Sequence, residues 1–267
     1  MTRKPCVAGQ FYPGTPQELT AFLKEAVVST SAPLTVRGVV APHAGYVYSG
    51  GVAGRVFGRV RVPEAVVLLG PNHTGLGTRA SIMSTGTWAT PLGAVPIHEP
   101  LATALKAASP LLEEDAMAHA HEHSLEVEVP FLQYRNPAVK IVPITLMLRN
   151  LDDIRELGES LAEVVSTWPE PVLLAASSDM THYEADDEAR AKDARAVDRV
   201  LAMDPEGLLA VTARDQITMC GVVPVAVLLT ATRALGATRG ELIAYATSGE
   251  ASGDYDRVVG YAGIVIE

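Results

Sequence analysis

The chain has 267 residues, of which 48% are hydrophobic, and this composition is typical of a globular protein with enough apolar material for the core of one domain. Its formal charge of 21 − 31 = −10 disfavours non-specific attraction to nucleic-acid phosphates or anionic lipid. We therefore expect no nucleic acid and no membrane as a partner.

Three further features indicate a cytoplasmic location. No uncharged apolar run reaches the roughly 18 residues of a membrane span. The first residues lack the apolar segment of a secretory signal. Cys6 and Cys220 are too few and too far apart for a disulfide framework, and this suits a reducing compartment.

The N-terminal part of the chain predicts a capped helix followed by a buried strand. Thr15 and Glu18 have the residue types and the spacing of a capping box at the start of that helix. A Ser/Thr/Ala-rich stretch at 29–32 leads to a strand at 36–41, which stops just before His43. The glycine-rich segment that follows predicts a tight turn into a helix packed close to the sheet.

The middle of the chain alternates apolar runs with turns. A strand at 65–70 is followed by Pro and Asn, which predict a turn as His73 is reached. Short strands are predicted between 79 and 95, then a helix at 99–108 and a histidine-rich loop. Ser124 is the predicted N-cap of the next helix.

The second half of the chain alternates strands with helices. Its predicted strands are at 139–146, 171–176, 241–247 and 258–266. Its predicted helices are at 151–167, 184–202 and 220–235, and a further helix begins at Pro205 with Asp204 as its N-cap. This alternation is typical of a mainly parallel sheet with helices against it. Because the chain has no repeat and no low-complexity linker, we predict a single α/β domain over 1–267 with a mainly parallel or mixed sheet.

Three of the apolar runs end near a histidine, namely His43, His73 and His182. Open α/β sheets place their ligand sites just outside the carboxyl ends of the strands. Histidine binds metals through a neutral ring nitrogen and exchanges protons near neutral pH. One such histidine is more often an ordinary loop residue, but three in the same setting predict a metal or reaction site.

Cys220 stands at the N-terminus of a predicted helix, where the helix dipole favours the thiolate that binds metals or attacks carbonyls. It could complete a two-histidine, one-cysteine site with His43 and His73, although a cysteine at a helix start is more often structural. Asp179 and His182 stand three residues apart, so a helical turn would point both into one cavity, either as an acid/base pair or as a pair that supports the ligands. The alternative for Asp179 is that it caps the turn that follows.

The histidine-rich loop contributes weaker candidates. His123, together with its neighbour Glu122, is the member expected at the cleft, whereas His119 and His121 are expected to be solvated. Tyr46 either lines the same cleft or packs against the sheet.

Several motifs resemble, in order, those of the Memo family, and they extend over nearly the whole chain. They are Ala8-Gly9-Gln10-Phe11-Tyr12-Pro13, Ala41-Pro42-His43-Ala44-Gly45-Tyr46, Leu69-Gly70-Pro71-Asn72-His73, Glu122-His123-Ser124-Leu125-Glu126, Ser177-Ser178-Asp179-Met180-Thr181-His182 and Cys220-Gly221. The chain is most similar to the prokaryotic members, which are called AmmeMemoRadiSam system protein B.

This resemblance implies a fold like that of the class III extradiol dioxygenases, which are non-haem iron enzymes. It also implies that His43, His73 and Cys220 are metal ligands and that Asp179 and His182 adjoin the metal site. A cysteine stands where those dioxygenases have a carboxylate ligand. Because imidazole and thiolate accommodate several metals, the expected cofactor is Fe(II) or copper, with zinc as a further option.

The resemblance leaves three functions open, because a shared fold does not fix an activity. The first is a metal-binding protein with redox or oxygen chemistry on an unknown small molecule, in which Asp179 and His182 move protons. The second is a protein- or peptide-binding scaffold with a vestigial dioxygenase cleft, whose expected partners are proteins of the AMMECR or radical-SAM kind. The third is a hydrolase with Cys220 as its nucleophile.

Overall fold

The computed structural model describes residues 1–28 and 32–267, so most of the Ser/Thr/Ala-rich stretch predicted at 29–32 lies outside the described residues. The strands in chain order are β1 (Thr2–Arg3), β2 (Gly38–Ala41), β3 (Ala65–Pro71), β4 (Ala80–Ile82), β5 (Thr87–Thr90), β6 (Gly93–Pro96), β7 (Glu113–Glu114), β8 (Lys140–Leu146), β9 (Val172–Ser177), β10 (His182–Glu184), β11 (Gly240–Thr247) and β12 (Val258–Ile266).

The helices are α1 (Pro16–Ala26), α2 (Tyr46–Arg59), α3 (Glu99–Ala108), α4 (Met117–Ala120), α5 (Val129–Arg135), α6 (Leu151–Thr167), α7 (Asp186–Leu201), α8 (Pro205–Arg214), α9 (Val222–Ala234) and α10 (Gly249–Ser252), with a 3₁₀ turn at Glu126–Glu128. None of the helices in the described ranges combines the length and apolar character that crossing a membrane requires.

The main sheet has the strand order β10-β12-β2-β9-β3-β8-β4-β7, and β11 pairs with β12. Its four central strands, β2, β9, β3 and β8, run parallel to one another. The flanking pairs β12–β2 and β4–β8 are antiparallel. A separate small sheet has the order β1-β5-β6. The prediction of an α/β fold with a mixed sheet is therefore confirmed.

Helices cover both faces of this sheet. A Cβ at Gly38 would overlap Leu228 of α9, whereas a Cβ at Gly263 would overlap Val56 of α2. Gly38 is paired with Ile266, so the two residues face the same side of the sheet. Side chains alternate along a strand, and Gly263 therefore faces the other side. It follows that α9 and α2 pack on opposite faces, each against a strand position without a side chain.

Most predicted elements agree with the structure to within about two residues, since their patterning was strong. The Thr15 hydroxyl accepts the N–H of Glu18, and Asp204 accepts the N–H of Gly207, so both predicted caps are confirmed. The predicted cap at Ser124 is wrong. Its hydroxyl donates instead to the Pro71 carbonyl at 2.8 Å, which ties the histidine-rich loop to the end of β3.

The glycine-rich helix α2 packs close to the sheet as predicted, but its own glycines face α1. A Cβ at Gly54 would overlap the carbonyl of Ala26 at the end of α1, and one at Gly50 would overlap the Phe22 ring. These glycines therefore bring α2 close to α1, while the close approach to the sheet depends on Gly263.

Candidate metal centre

The carboxyl ends of β2, β9 and β3 lie side by side at one edge of the sheet. β9 runs between the other two, and the last residues of β2 and β9, Ala41 and Ser177, are paired in register. His43, His73 and Asp179 each follow one of these strands by two residues. They consequently emerge at the same edge.

Three imidazoles meet at this edge. His43, His73 and His123 each offer a ring nitrogen within 4.8 Å of the others. The ring centroids are 5.3 Å apart for His43 and His73, 5.6 Å for His43 and His123, and 4.8 Å for His73 and His123. His43 is buried, whereas the side chains of His73 and His123 are 35% and 25% exposed. The cluster is thus closed on the side of His43 and open to solvent beside the other two rings.

Cys220 lies next to this cluster without being a member of it. Its Sγ is 3.2 Å from Nε2 of His43 and 3.3 Å from the backbone nitrogen of Asp179, which donates to it. A Cβ at Gly221 would overlap the Ser177 carbonyl, so the following glycine allows Cys220 to approach β9. Burial and the nearby Asp179 raise the pKa of the Cys220 thiol, and the thiolate expected from the helix dipole is therefore disfavoured.

Asp179 supports the turn that carries His43. Its Oδ1 accepts the backbone N–H of His43 at 2.8 Å. Asp179 therefore stabilises the segment that follows β2, and not the turn that follows its own strand β9. Burial raises the pKa of Asp179 to about 7, against the opposing effect of the N–H donors of His43 and Ala44. Burial and the neighbouring His73 and His123 lower the pKa of His43, which keeps its imidazole neutral.

Glu122 holds His73 through both its backbone and its ring. The Oε1 atom of this buried carboxylate is 2.9 Å from Nδ1 of His73, and Oε2 accepts the backbone N–H of the same residue. The N–H of Ser124 donates to the carboxylate as well. Burial opposes ionisation of Glu122, but the contacts with His73 and Ser124 outweigh it and lower its pKa to about 2. Burial likewise opposes protonation of His73, but Glu122 raises its pKa overall.

His182 reaches the site by a different path from the predicted helical turn. It begins β10, where its backbone N–H donates to Oγ1 of Thr218 at 2.7 Å. Its Nδ1 lies 2.9 Å from the Thr218 carbonyl, which can only accept, so Nδ1 carries the proton and Nε2 is left as the acceptor. His182 lies near enough to His43 that its protonated form would lower the pKa of His43.

Tyr46 lies in the core behind the cluster. Its hydroxyl donates to the Val127 carbonyl at 2.7 Å, and its ring packs against Phe131 and Phe22 at centroid distances of 4.8 and 5.0 Å. It therefore supports the segment that follows His123.

Arg3 is a residue that sequence reasoning missed. Its buried guanidinium lies 2.7 Å from Glu126, donates to the carbonyls of His119 and Glu122 at 2.7 and 2.8 Å, and covers the Trp88 ring at 4.2 Å. The loop that bears Glu122 and His123 is thus fixed to the N-terminus. A lone arginine near a chain end gives no sequence signal for such a role.

Glu126 completes this arrangement. Its carboxylate accepts the backbone N–H groups of Cys6 and Val7 and the hydroxyl of Tyr12, at 2.8, 3.0 and 2.8 Å. We call the set of Arg3, Cys6, Tyr12 and Glu126 the N-terminal clasp. The motif Ala8–Pro13 was the available signal, since it contains Tyr12.

His119 was expected to be solvated, and this is wrong. The residue is fully buried, with its ring edge-on to Trp88 at a centroid distance of 5.8 Å. Burial and the nearby Arg3 cation lower its pKa from 6.5 to about 4. The fold therefore holds His119 as a neutral imidazole.

The buried His119 should make the protein sensitive to acid. Below about pH 6.5 the unfolded chain binds a proton at this residue that the folded chain does not bind, so stability falls as the pH drops towards 4, by on the order of 3 kcal/mol in full. Denaturant unfolding at about pH 7 and about pH 4.5 measures this loss. His119→Gln should reduce the difference between the two pH values. His121→Gln, at an exposed position in the same loop, should leave it unchanged. Equal pH dependence in the wild type and His119→Gln would contradict the assignment.

A family model described as Memo-like protein matches residues 3–265. The chain is 44% identical to a MEMO1 family protein of Methanopyrus kandleri, with 99% of both chains covered. It is 42% identical to a MEMO1 family protein of Methanosarcina barkeri, with 99% of this chain and 100% of the relative covered. Among solved structures, an uncharacterized protein from Escherichia coli K12 has the same fold, with a TM-score of 0.57 and 13% identity over 86% of this chain and 99% of that one.

Proposed function

This chain belongs to the Memo family, and from that premise we propose that it is a metal-binding protein in which His43, His73 and Cys220 hold one transition-metal ion. The observation that carries this proposal is the position of the Cys220 sulfur, 3.2 Å from Nε2 of His43 at the edge of a cluster of imidazoles.

The hydrogen bonds of the two histidines support the proposal. Nδ1 of His43 is engaged with Ser177 at 2.8 Å, and Nδ1 of His73 is engaged with Glu122 at 2.9 Å. Each ring therefore keeps Nε2 for a further partner. Metal-binding histidines commonly have their second nitrogen fixed in this way by a carboxylate or another oxygen. Binding also requires neutral imidazoles, and the lowered pKa of His43 meets this requirement. The pKa of His73 is raised by Glu122, so metal binding at that ring competes with protonation and should strengthen as the pH rises.

The donor set suits Fe(II), copper or zinc, because imidazole binds all three and a thiolate favours the softer ions. A bound iron or copper ion would supply redox or oxygen chemistry. Within the protein, Asp179 positions His43 through its backbone N–H. We assign proton transfer to Nε2 of His182, because Nδ1 of the same ring is committed to the Thr218 carbonyl.

Reconstitution of the metal-free protein under anaerobic conditions tests this function. After incubation with Fe(II), copper or zinc and removal of unbound metal, we expect one ion per chain for at least one of the three. A protein that retains no stoichiometric metal under any of these conditions would overturn the proposal.

The third ligand can be identified with two variants. Cys220→Ser should weaken binding and remove the thiolate-to-metal absorption of the copper(II) form, because the sulfur is replaced by a poorer donor. His123→Ala should retain the absorption and the stoichiometry, since its ring is placed beside the ligands. In the reverse result, His123→Ala loses the metal and Cys220→Ser binds it with unchanged affinity. That result would show that His123, and not Cys220, is the third ligand.

The pairing of Cys220 with His43 also matches the geometry of a cysteine nucleophile and its base. The raised pKa of the thiol disfavours this alternative, since a nucleophile needs the thiolate. The rate of thiol alkylation in metal-free protein distinguishes the two functions. Rapid alkylation of Cys220 near neutral pH, relative to Cys6, would favour the hydrolase.

A further inference from the structure

The Ser177 hydroxyl lies at the centre of a buried hydrogen-bond network beneath His43. Its Oγ is 2.8 Å from Nδ1 of His43, 2.7 Å from the carbonyl oxygen of Ser124 and 3.1 Å from Oε1 of Glu128. All four residues are buried, with at most 2% of each exposed to solvent. Their protons must therefore be shared among these groups.

Allowing one hydrogen bond for each proton leads to one assignment of the protons. A hydroxyl has one proton to donate and two lone pairs to accept with. The Ser124 carbonyl has no proton, so the short contact with it requires that Ser177 donates there. Ser177 can then only accept from its other two neighbours. Consequently His43 carries its proton on Nδ1, and Glu128 is a protonated carboxylic acid that donates to Ser177.

The surroundings of Glu128 agree with a neutral acid. Its Oε2 has no hydrogen-bond partner among the described residues, which is far less costly for an uncharged oxygen than for a carboxylate. Burial raises the pKa of Glu128 well above its ordinary value, and the neighbouring Asp179 raises it further, against the opposing effect of the hydrogen bond with Ser177. No compensating cation acts on it in the described part of the chain.

We propose that Ser177, with the protonated Glu128 beside it, is a positioning residue that fixes the tautomer of His43 so that the lone pair of Nε2 faces Cys220. This inference rests on the proposed function, because the tautomer matters when Nε2 is a metal ligand. Ser177 acts only through His43 and needs no contact with the metal.

The tautomer can be read directly in the metal-free protein. Nitrogen NMR of histidine-labelled protein, with the His43 signals assigned by their loss in His43→Gln, should show a proton on Nδ1 and none on Nε2. Ser177→Ala should shift these signals towards a mixture of tautomers, because Nδ1 loses its acceptor. Ser177→Thr, which keeps the hydroxyl and suits a strand position, should restore the wild-type signals.

Metal affinity provides the second readout. Ser177→Ala should bind metal about 10–100-fold more weakly, as is typical when the partner of a metal-binding histidine is removed. Glu128→Gln retains a donor towards Ser177, so it should keep the wild-type tautomer and affinity. In the infrared spectrum it should remove one band of a protonated carboxylic acid.

The outcomes separate this inference from the proposed function. If His43 of the wild-type protein carries its proton on Nε2, the inference is overturned even if the protein binds metal. The inference is also overturned if Glu128→Gln and the wild type have identical infrared spectra. A correct tautomer in a protein that binds no metal supports the network and overturns the metal function. If Ser177→Ala does not fold, the tautomer of His43 in the wild type and the infrared spectrum of Glu128→Gln still test the inference.

Discussion

Replacing His43 or His73 with alanine is expected to weaken metal binding by about 10²–10⁴-fold. Apparent binding free energies of about 10–16 kcal/mol, shared among three or four ligands, correspond to about 3–5 kcal/mol for each. The two rings differ in their surroundings, since His43 is buried and His73 is partly exposed. His43→Ala should therefore also destabilise the fold through a cavity, whereas His73→Ala should mainly affect the metal.

Competition with a chelator of known affinity measures this loss, and thermal unfolding of the metal-free variants separates folding from binding. His121→Ala is the matched control, because His121 lies in the loop beside the cluster but is exposed. Wild-type affinity in both His43→Ala and His73→Ala would exclude these residues as ligands. Loss in His121→Ala to the same extent would point to non-specific binding by surface histidines.

The fold was predictable because its periodic patterns are strong and local. The run Val66–Leu69 is apolar throughout, as a strand buried on both faces requires, and α6 has the polar and apolar faces of a surface helix. Strand order was not predictable, because no local pattern states that β9 runs between β2 and β3. That order is what makes His43 and His73 neighbours.

The candidate site was most predictable where its residues follow strands directly. His43, His73 and Asp179 do so, and the structure brings them together with Cys220. His123 gave a weaker signal, since it comes from a loop that no periodic pattern locates. The burial of His119 and the path of His182 depend on contacts with distant residues, and sequence spacing does not contain them.

Breaking the N-terminal clasp should cost more stability than any surface ion pair. Arg3→Met leaves Glu126 buried without its cation, although Cys6, Val7 and Tyr12 still donate to it. We expect a loss of about 3–5 kcal/mol, the range typical of a buried pair broken from one side. Denaturant unfolding of the metal-free protein measures the change.

The matched control is the surface pair of Arg79 and Asp153, whose N–O distance of 3.1 Å is similar but whose arginine side chain is 66% exposed. Arg79→Met should cost less than about 1 kcal/mol. The double variant Arg3→Met/Glu126→Gln should recover part of the stability lost in Arg3→Met, because it removes the uncompensated charge. Equal losses in Arg3→Met and Arg79→Met would show that the clasp contributes no more than a surface contact.

Arg3 also donates to the Glu122 carbonyl, and Glu122 in turn holds His73. Arg3→Met should therefore weaken metal binding through His73, an effect that a clasp serving stability alone would not produce.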